Sequence, residues 1–472
     1  MICPLLGSAI SDDAQSKTLG DTRYLVLFTG MGIGTMITGR SVEQLRSLLE
    51  SYRDQSMERA HTLPADFYRS SAFFEYERDE LLCREWLCVG RGDEIPEPGD
   101  YFTTELLDEP LLLVRGDDRR IRALVNICRH RGMLIANGAG HTRNFVCPYH
   151  AWTYDRAGQL LRAQRIEKSD HFDPAQCRLP ELASETWNGF VFVNLDGKAP
   201  ALAPRLQDLE PLTANYETGR MHHAWVEETQ WGANWKCVVE NFLEGYHLSV
   251  LHKNTLHAIT PTSLCEKLPG RPAYTGYKAY YADSVPPAEP CSPRLTERER
   301  RCSTLFCVYP TLLASQAPER LWYMALQPTS VNTVTIRRGT ANYQAGLPDD
   351  EIARRVAVWN SNQLEEAALV HGASQWRTFY RVTLPVIIPG VFAGTVYAFM
   401  VSFGDVPIAL FLAGPSFTTM PMLIYQSMDL EFSGTLLSTS TAVMIAGLGL
   451  LLLVQKLIGL GSLLRSDASA AG

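Results

Sequence analysis

Two Cys/His pairs carry the most specific chemistry in this chain. Cys128-x-His130 and Cys147-x-x-His150 flank a Gly-rich connector within the stretch 128–154. Thiolate and imidazole are the soft and borderline donors that iron and zinc select. Two short pairs brought together by a loop can close a tetrahedral zinc site. They can equally hold a [2Fe–2S] cluster, with two Cys on one iron and two His on the other, an arrangement suited to one-electron delivery. A second constellation follows at 234–252, NWKCVVENFLEGYHLSVLH. It has little Gly or Pro and reads as a helix on which Glu244 and His247, three apart, share a face. His252 is five further on, so the helix must bend or end there for both imidazoles to reach one metal. Two His with a later carboxylate form a ferrous site that leaves positions open for dioxygen. The plainer reading is a pair of ordinary helix histidines.

The surrounding chain supplies elements that can position both sets. Val42, Leu45, Leu48 and Leu49 mark one face of a helix over about 41–56. From Ile95 to Asp196 the pattern is short strands, LLLVR at 111–115, IRALVNIC at 121–128 and GFVFVNL at 189–195, punctuated by Gly, Asp and Pro. That suits a small β-sandwich presenting its ligands on two loops at one tip. An acidic, partly helical linker follows at 206–216, strands recur over 310–343, and a helix starts at 349–362. The length of 472 residues allows two or three domains. A net charge of -8 argues against a nucleic-acid partner, which needs a concentrated basic face. The 11 Cys are odd in number and scattered, as in a reducing compartment, and Cys83, Cys237 and Cys302 read as small buried residues. Residues 1–40 read as an extension. Its apolar run at 24–37 is too short to span a membrane, and its GMGIG lacks the third glycine and later acid of a dinucleotide site.

Arg131-Gly132 after the first pair, and Cys-Pro-Tyr-His-Ala-Trp-x-Tyr around the second with Gly158 soon after, resemble the Rieske signature of ring-hydroxylating oxygenase alpha subunits. Asn234-Trp235-Lys236 and Glu240-Asn241-Phe242-x-Glu244-x-Tyr246-His247 resemble that family's second motif residue for residue, and Leu63-Pro64, Phe67-Tyr68, Glu75 and Trp86 resemble its lead-in helix. The resemblance implies an α+β architecture: a Rieske β-sandwich with lead-in helices over 41–205, then a helix-grip catalytic domain, an antiparallel sheet with helices, over 206–362. It implies a [2Fe–2S] cluster on Cys128, His130, Cys147 and His150, and mononuclear Fe(II) on His247 and His252. Electrons would come from NAD(P)H through a separate reductase or ferredoxin. It also implies a homotrimer in which Glu244 bridges a cluster histidine of the neighbouring subunit to His247. The implied reaction is O2-dependent hydroxylation or demethylation of a small aromatic or quaternary ammonium substrate. Glu rather than Asp at 244 is more similar to members acting on glycine betaine and carnitine. Tyr309, Trp322 and Tyr323 are candidates for a cation–π cage, or simply sheet core.

In that family the last helix carries the third iron ligand, an Asp, in a pattern like Glu-Asp-x-x-Leu-x-Glu. Here the chain reads Leu364-Glu365-Glu366-Ala367-Ala368-Leu369-Val370-His371-Gly372, and Glu366 falls where the Asp should be. The same residues open a stretch at 365–394 that resembles the EAA loop of binding-protein-dependent ABC permeases, the segment that docks into the transport ATPase. Two apolar spans at about 385–403 and 435–460 are each as long as the roughly 20 residues of a bilayer crossing. No Lys or Arg lies between Gly404 and Gly434, whereas Arg377, Arg381, Lys456 and Arg465 flank the other ends. The positive-inside rule then puts the EAA loop and C-terminus in the cytoplasm. The expectation is an oxygenase joined near Asn362 to a permease-like tail of two transmembrane helices over 363–472. Such a chain sits in a bacterial inner membrane with its oxygenase part cytoplasmic, or is wholly cytoplasmic if the junction is an artefact. The rival readings are a membrane component of an ABC importer and a non-functional oxygenase–permease chimaera.

Overall fold

A computed structural model describes residues 39–53, 59, 61–164, 166, 171–253 and 255–360, the helical backbone of 361–370, and isolated positions beyond. The chain divides into two compact units, Met1–Ala353 and Arg354–Gly472.

The first unit starts with helices α1 (Val42–Tyr52), α2 (Asp66–Arg69) and α3 (Ser71–Glu77). Ser41 caps α1: its hydroxyl accepts from Gln44 N and its own N–H donates to the Gln44 side chain. Leu45 is fully buried with Phe67 and Phe73, but Leu49 is exposed, so the apolar face is narrower than expected.

Ten strands follow: β1 (Leu87–Arg91), β2 (Asp100–Leu106), β3 (Glu109–Arg115), β4 (Ile121–Val125), β5 (Ala139–His141), β6 (Phe145–Val146), β7 (Thr153–Tyr154), β8 (Leu160–Arg162), β9 (Glu181–Trp187) and β10 (Phe190–Asn194). Seven form a sheet in the order β1-β10-β9-β4-β3-β2-β5, and β6-β7-β8 form a small sheet. The two-residue side-chain period assigns their faces. Val191 and Val193 of β10 enter one core with Leu111, Leu113 and Ala123. Phe190 and Phe192 enter a second core with Tyr274, Phe306, Leu312 and Tyr323. Leu112, Val114 and Leu124 face the opposite way from Leu111, Leu113 and Ala123, and pack beneath the small sheet with Cys128, Cys147, Trp152 and Tyr154. Full burial of such side chains stabilises by about 1.5–3 kcal/mol each.

Helices α4 (Leu202–Arg205) and α5 (Glu210–Thr213) lead to the second sheet. This segment, expected as a linker, is core: Leu206, Leu209 and Tyr216 are fully buried. The second sheet contains β11 (His222–Trp231), β12 (Cys265–Lys267), β13 (Tyr274–Tyr280), β14 (Cys302–Val308), β15 (Leu312–Gln316), β16 (Arg320–Ser330) and β17 (Thr333–Asn342). Its order is β11-β17-β16-β15-β14-β13-β12, and every pairing is antiparallel.

Between β11 and β12 the structure departs from the expected helix over 234–252. Helix α6 covers only Trp235–Phe242, and Glu244, His247 and His252 lie on turns beyond it. Two side chains compete with the helical ladder there. The Glu244 carboxylate accepts from the backbone N–H of Tyr246 and His247. The Thr262 hydroxyl takes up the carbonyls of Gly245 and Tyr246.

Helix α7 runs from Asp349 to Val370. Among the described residues no helix is long and apolar enough to cross a membrane. The span expected at 385–403, and that at 435–460 apart from Ser438, Thr441 and Ile445, lie outside the described residues.

Candidate metal centres

The two Cys/His loops adopt the same backbone plan. In the first, Cys128 N–H donates to Met133 O at 2.8 Å and Gly132 N–H donates to Cys128 O at 3.0 Å. In the second, Cys147 N–H donates to Trp152 O at 2.8 Å and Ala151 N–H donates to Cys147 O at 3.0 Å. Each turn needs a left-handed residue four places after its Cys, Gly132 at φ +70° and Ala151 at φ +56°. Glycine takes that conformation without strain, while the Cβ of Ala151 costs roughly 1–2 kcal/mol.

These turns sort the donors by depth. Cys128 and Cys147 are each 2% exposed, and their side chains lie within hydrogen-bonding reach of one another. His130 is half-buried and His150 is exposed, with ring centroids 4.6 Å apart. Trp152 stacks on His130 at 4.8 Å and 8°, and Tyr149 lies 3.9 Å from the His150 ring. Burial, and then the neighbouring His150, hold the His130 pKa below its ordinary value, which favours the neutral ligating imidazole. Burial pushes the Cys128 thiol up, and the nearby Tyr154 hydroxyl opposes that shift. Tyr154 Oη lies 3.4 Å from Cys128 Sγ and accepts from Arg129 N–H at 3.1 Å. The sequence reading missed this tyrosine as a partner of the thiol, although it closes the second loop's signature.

Among the described residues no three His, Cys, Asp or Glu side chains converge as one tetrahedral ion requires. A buried thiol pair with a more accessible imidazole pair suits two irons of unlike ligation.

The second constellation comes together on the turns after α6. His247 and His252 have ring centroids 5.3 Å apart at 61°. Glu244 hydrogen-bonds His247 Nδ1, which leaves Nε2 as the nitrogen for a metal. His252 is 6% exposed. Gly245 allows the close passage between Glu244 and His247, because a Cβ there would sit 2.6 Å from Cys265 Sγ. No third donor joins these two histidines among the described residues. Glu366 lies on the backbone of α7, and its side chain is outside the described residues. Of the aromatic cage candidates, Tyr323 is core: it is 1% exposed and its hydroxyl donates to Glu94 at 3.1 Å.

Comparison with known proteins assigns these segments. Residues 85–174 match the Rieske [2Fe-2S] domain, and residues 216–370 match the catalytic domain of the ring hydroxylating alpha subunit. Both segments are thus similar to the domains of Rieske non-haem iron oxygenases. The chain is 35% identical over 198 residues to a carnitine monooxygenase oxygenase subunit of Acinetobacter pittii, covering 41% of this chain and 53% of that protein. It is 37% identical over 215 residues to a glycine betaine monooxygenase oxygenase subunit of Chromohalobacter salexigens, covering 45% of this chain and 48% of the relative. The chain thus spans about half the length of the curated relatives it matches.

A crystal structure of a quaternary ammonium Rieske monooxygenase with L-carnitine superposes with a TM-score of 0.57 at 25% identity, over 66% of this chain and 83% of that one. Naphthalene 1,2-dioxygenase from Rhodococcus sp. shares the fold, with a TM-score of 0.57 at 21% identity over 70% of this chain and 81% of its own. Residues 360–459 match the binding-protein-dependent transport system inner membrane component, so a permease-like segment follows the oxygenase-like part.

Proposed function

We propose that this chain uses O2 and reductase-delivered electrons to hydroxylate or demethylate a small quaternary ammonium compound. The observation that carries the reading is the sorted donor set, two buried thiols beneath two accessible imidazoles, in the same unit as an acid-held His247 beside His252. Cys128, His130, Cys147 and His150 hold a [2Fe–2S] cluster, and His247 and His252 hold Fe(II), in this reading. The cluster supplies single electrons and the ferrous centre supplies oxygen activation.

The chain's own residues perform the rest. Burial keeps water from the two thiolates, and the exposed face of His150 admits an electron partner. Glu244 fixes the tautomer of His247 and, being 35% exposed, can also accept a hydrogen bond from a neighbouring subunit. Exposed apolar side chains beside each centre, Tyr246 and Val250 at one and Leu134 and Tyr149 at the other, support a homotrimer whose subunits cover them. The names of the carnitine and glycine betaine relatives, with Glu at 244, support the quaternary ammonium class. Reconstitution with a reductase, NADH and carnitine or glycine betaine should couple O2 uptake to substrate oxidation. A protein that holds the cluster but neither Fe(II) nor product refutes the reading.

The same proposal assigns 41–205 to the Rieske domain, 206–362 to the catalytic domain and 363–472 to the tail. Glu366 is the candidate third iron ligand, and unchanged iron content in Glu366→Ala removes it. The match of residues 360–459 favours a second reading, in which two tail helices anchor the oxygenase on the cytoplasmic side of an inner membrane and the EAA loop docks an ABC ATPase. Salt-resistant membrane fractionation with a co-purifying ATPase supports that reading, and recovery of the full chain in the soluble fraction refutes it.

A further inference from the structure

The functional reading gives no role to the buried ion pair between Lys236 and Glu77. Lys236 Nζ donates to Glu77 Oε2 at 2.6 Å, and the two residues are only 9% and 7% exposed. The rings of Trp235, Tyr68 and Phe73 lie 5.2, 5.8 and 5.9 Å from the ammonium. Desolvating such a pair offsets most of its Coulomb gain, and well-packed apolar residues usually hold two elements together as well or better. What an ion pair adds is direction, since a charge-assisted bond fixes where its atoms sit.

The pair joins α3 to the helix that delivers the iron-site turns. Glu77 is the last residue of α3, immediately before a π-helical turn at Arg78–Leu82. Lys236 is in the first turn of α6, and the chain passes from the end of α6 at Phe242 into Glu244 and His247. That is about 9 Å of helix between the pair and the turns. Two further contacts join α6 to the same region. Asn234 Nδ2 donates to Tyr68 O at 3.1 Å, and Tyr68 Oη donates to Glu240 Oε1 at 2.7 Å. Of the three, only Lys236–Glu77 has both partners buried.

We propose that Lys236, through Glu77, is a positioning residue that aims α6 so that Glu244 and His247 meet the metal. This rests on the oxygenase reading. Lys236 touches neither histidine and acts only through the helix.

The test uses the full-length chain with Lys236→Met, Lys236→Arg, the double variant Lys236→Met/Glu77→Met, and His247→Ala as reference. Three quantities are read: the cluster's visible circular dichroism per chain, the melting temperature, and Fe(II) affinity by chelator competition. The double variant should keep the cluster signal and melt near the parent, as an apolar replacement of a buried pair does. It should nevertheless bind Fe(II) about tenfold or more weakly, the scale on which outer-shell partners act. Lys236→Arg should lie between, keeping charge while changing reach. If the double variant regains both the melting temperature and the Fe(II) affinity, the pair is structural only and the inference fails. Should Lys236→Met not fold, the double variant carries the test alone. If His247→Ala keeps parental Fe(II) affinity, the oxygenase reading itself fails. Loss of Fe(II) in His247→Ala with parental affinity in the lysine variants sinks only the positioning role.

Discussion

Tyr154→Phe should lower the reduction potential of the proposed cluster on the Cys128 loop by about 30–65 mV, from about 0.75–1.5 kcal/mol of differential hydrogen bonding. Tyr154 is fully buried, its Oη is 3.4 Å from Cys128 Sγ, and it accepts from Arg129 N–H. That acceptance leaves the hydroxyl hydrogen to donate to sulfur. A hydrogen bond to a charged acceptor contributes about 1.5–3 kcal/mol. The added electron spreads over the cluster, so about half of this changes between oxidation states. For a one-electron couple 59 mV is a factor of ten, which converts the remainder into the stated shift. Phe fills the same site beside Phe145 and Trp152, so cluster content should hold. Redox titration followed by visible circular dichroism or EPR reads the potential directly. A fully loaded Tyr154→Phe protein with the parental potential would refute the assigned donor geometry.

Four more outcomes are expected. Glu244→Gln should cut turnover about 10–100-fold with cluster and Fe(II) retained, because the carboxylate that holds His247 Nδ1 is lost; unchanged steady-state rates count against the bridging role. Gly245→Ala should release Fe(II) because its Cβ meets Cys265 Sγ, and adding Cys265→Ala should restore the metal, as iron analysis can check. Hydrogen bonds from Ser292 and Arg220 hold the Glu217 carboxyl below its ordinary pKa. A lowered folded pKa gives stability that is full above the unfolded value of about 4.3 and lost as pH falls through the folded one, so Ser292→Ala should depress the melting temperature at pH 7 and progressively less below about pH 4. Glu94→Gln should cost about 3 kcal/mol in urea unfolding, because it breaks a buried pair with Arg337, both partners being under 10% exposed.

What the sequence disclosed and what it hid divide along the distance between partners. The four donors of the Rieske loops stand within a few residues of each other in two short motifs, and runs such as LLLVR and GFVFVNL announce buried strands by composition alone. The turns after α6 differ from the expected helix because, besides the local Glu244 carboxylate, one competitor is remote. Thr262 reaches back to the carbonyls of Gly245 and Tyr246 from 17 and 16 residues away. Lys236 and Glu77 are 159 residues apart, and no local pattern links them. The 206–216 segment looked like a linker because Asp208 and Glu210 make it acidic, yet Leu206 and Leu209 plug a core assembled from both sheets and Tyr216 is fully buried. Local chemistry was legible, and tertiary competition was not.

The junction shows the same division in its plainest form. Residues 360–370 match both the ring-hydroxylating catalytic domain and the transport component, and α7 runs through them without a break. Helix physics accounts for that shared match. Asp349, Asp350 and Glu351 in the first turn complement the helix dipole, and Gln363-Leu364-Glu365-Glu366-Ala367-Ala368-Leu369 is rich in strong helix formers. No Gly or Pro interrupts the sequence between Asp349 and His371. A helix therefore forms whichever family the segment descends from. A metal ligand is more demanding, because the donor must arrive at a bond distance set by residues far away in sequence. Continuity of α7 thus follows from local propensity and does not by itself make Glu366 a metal ligand.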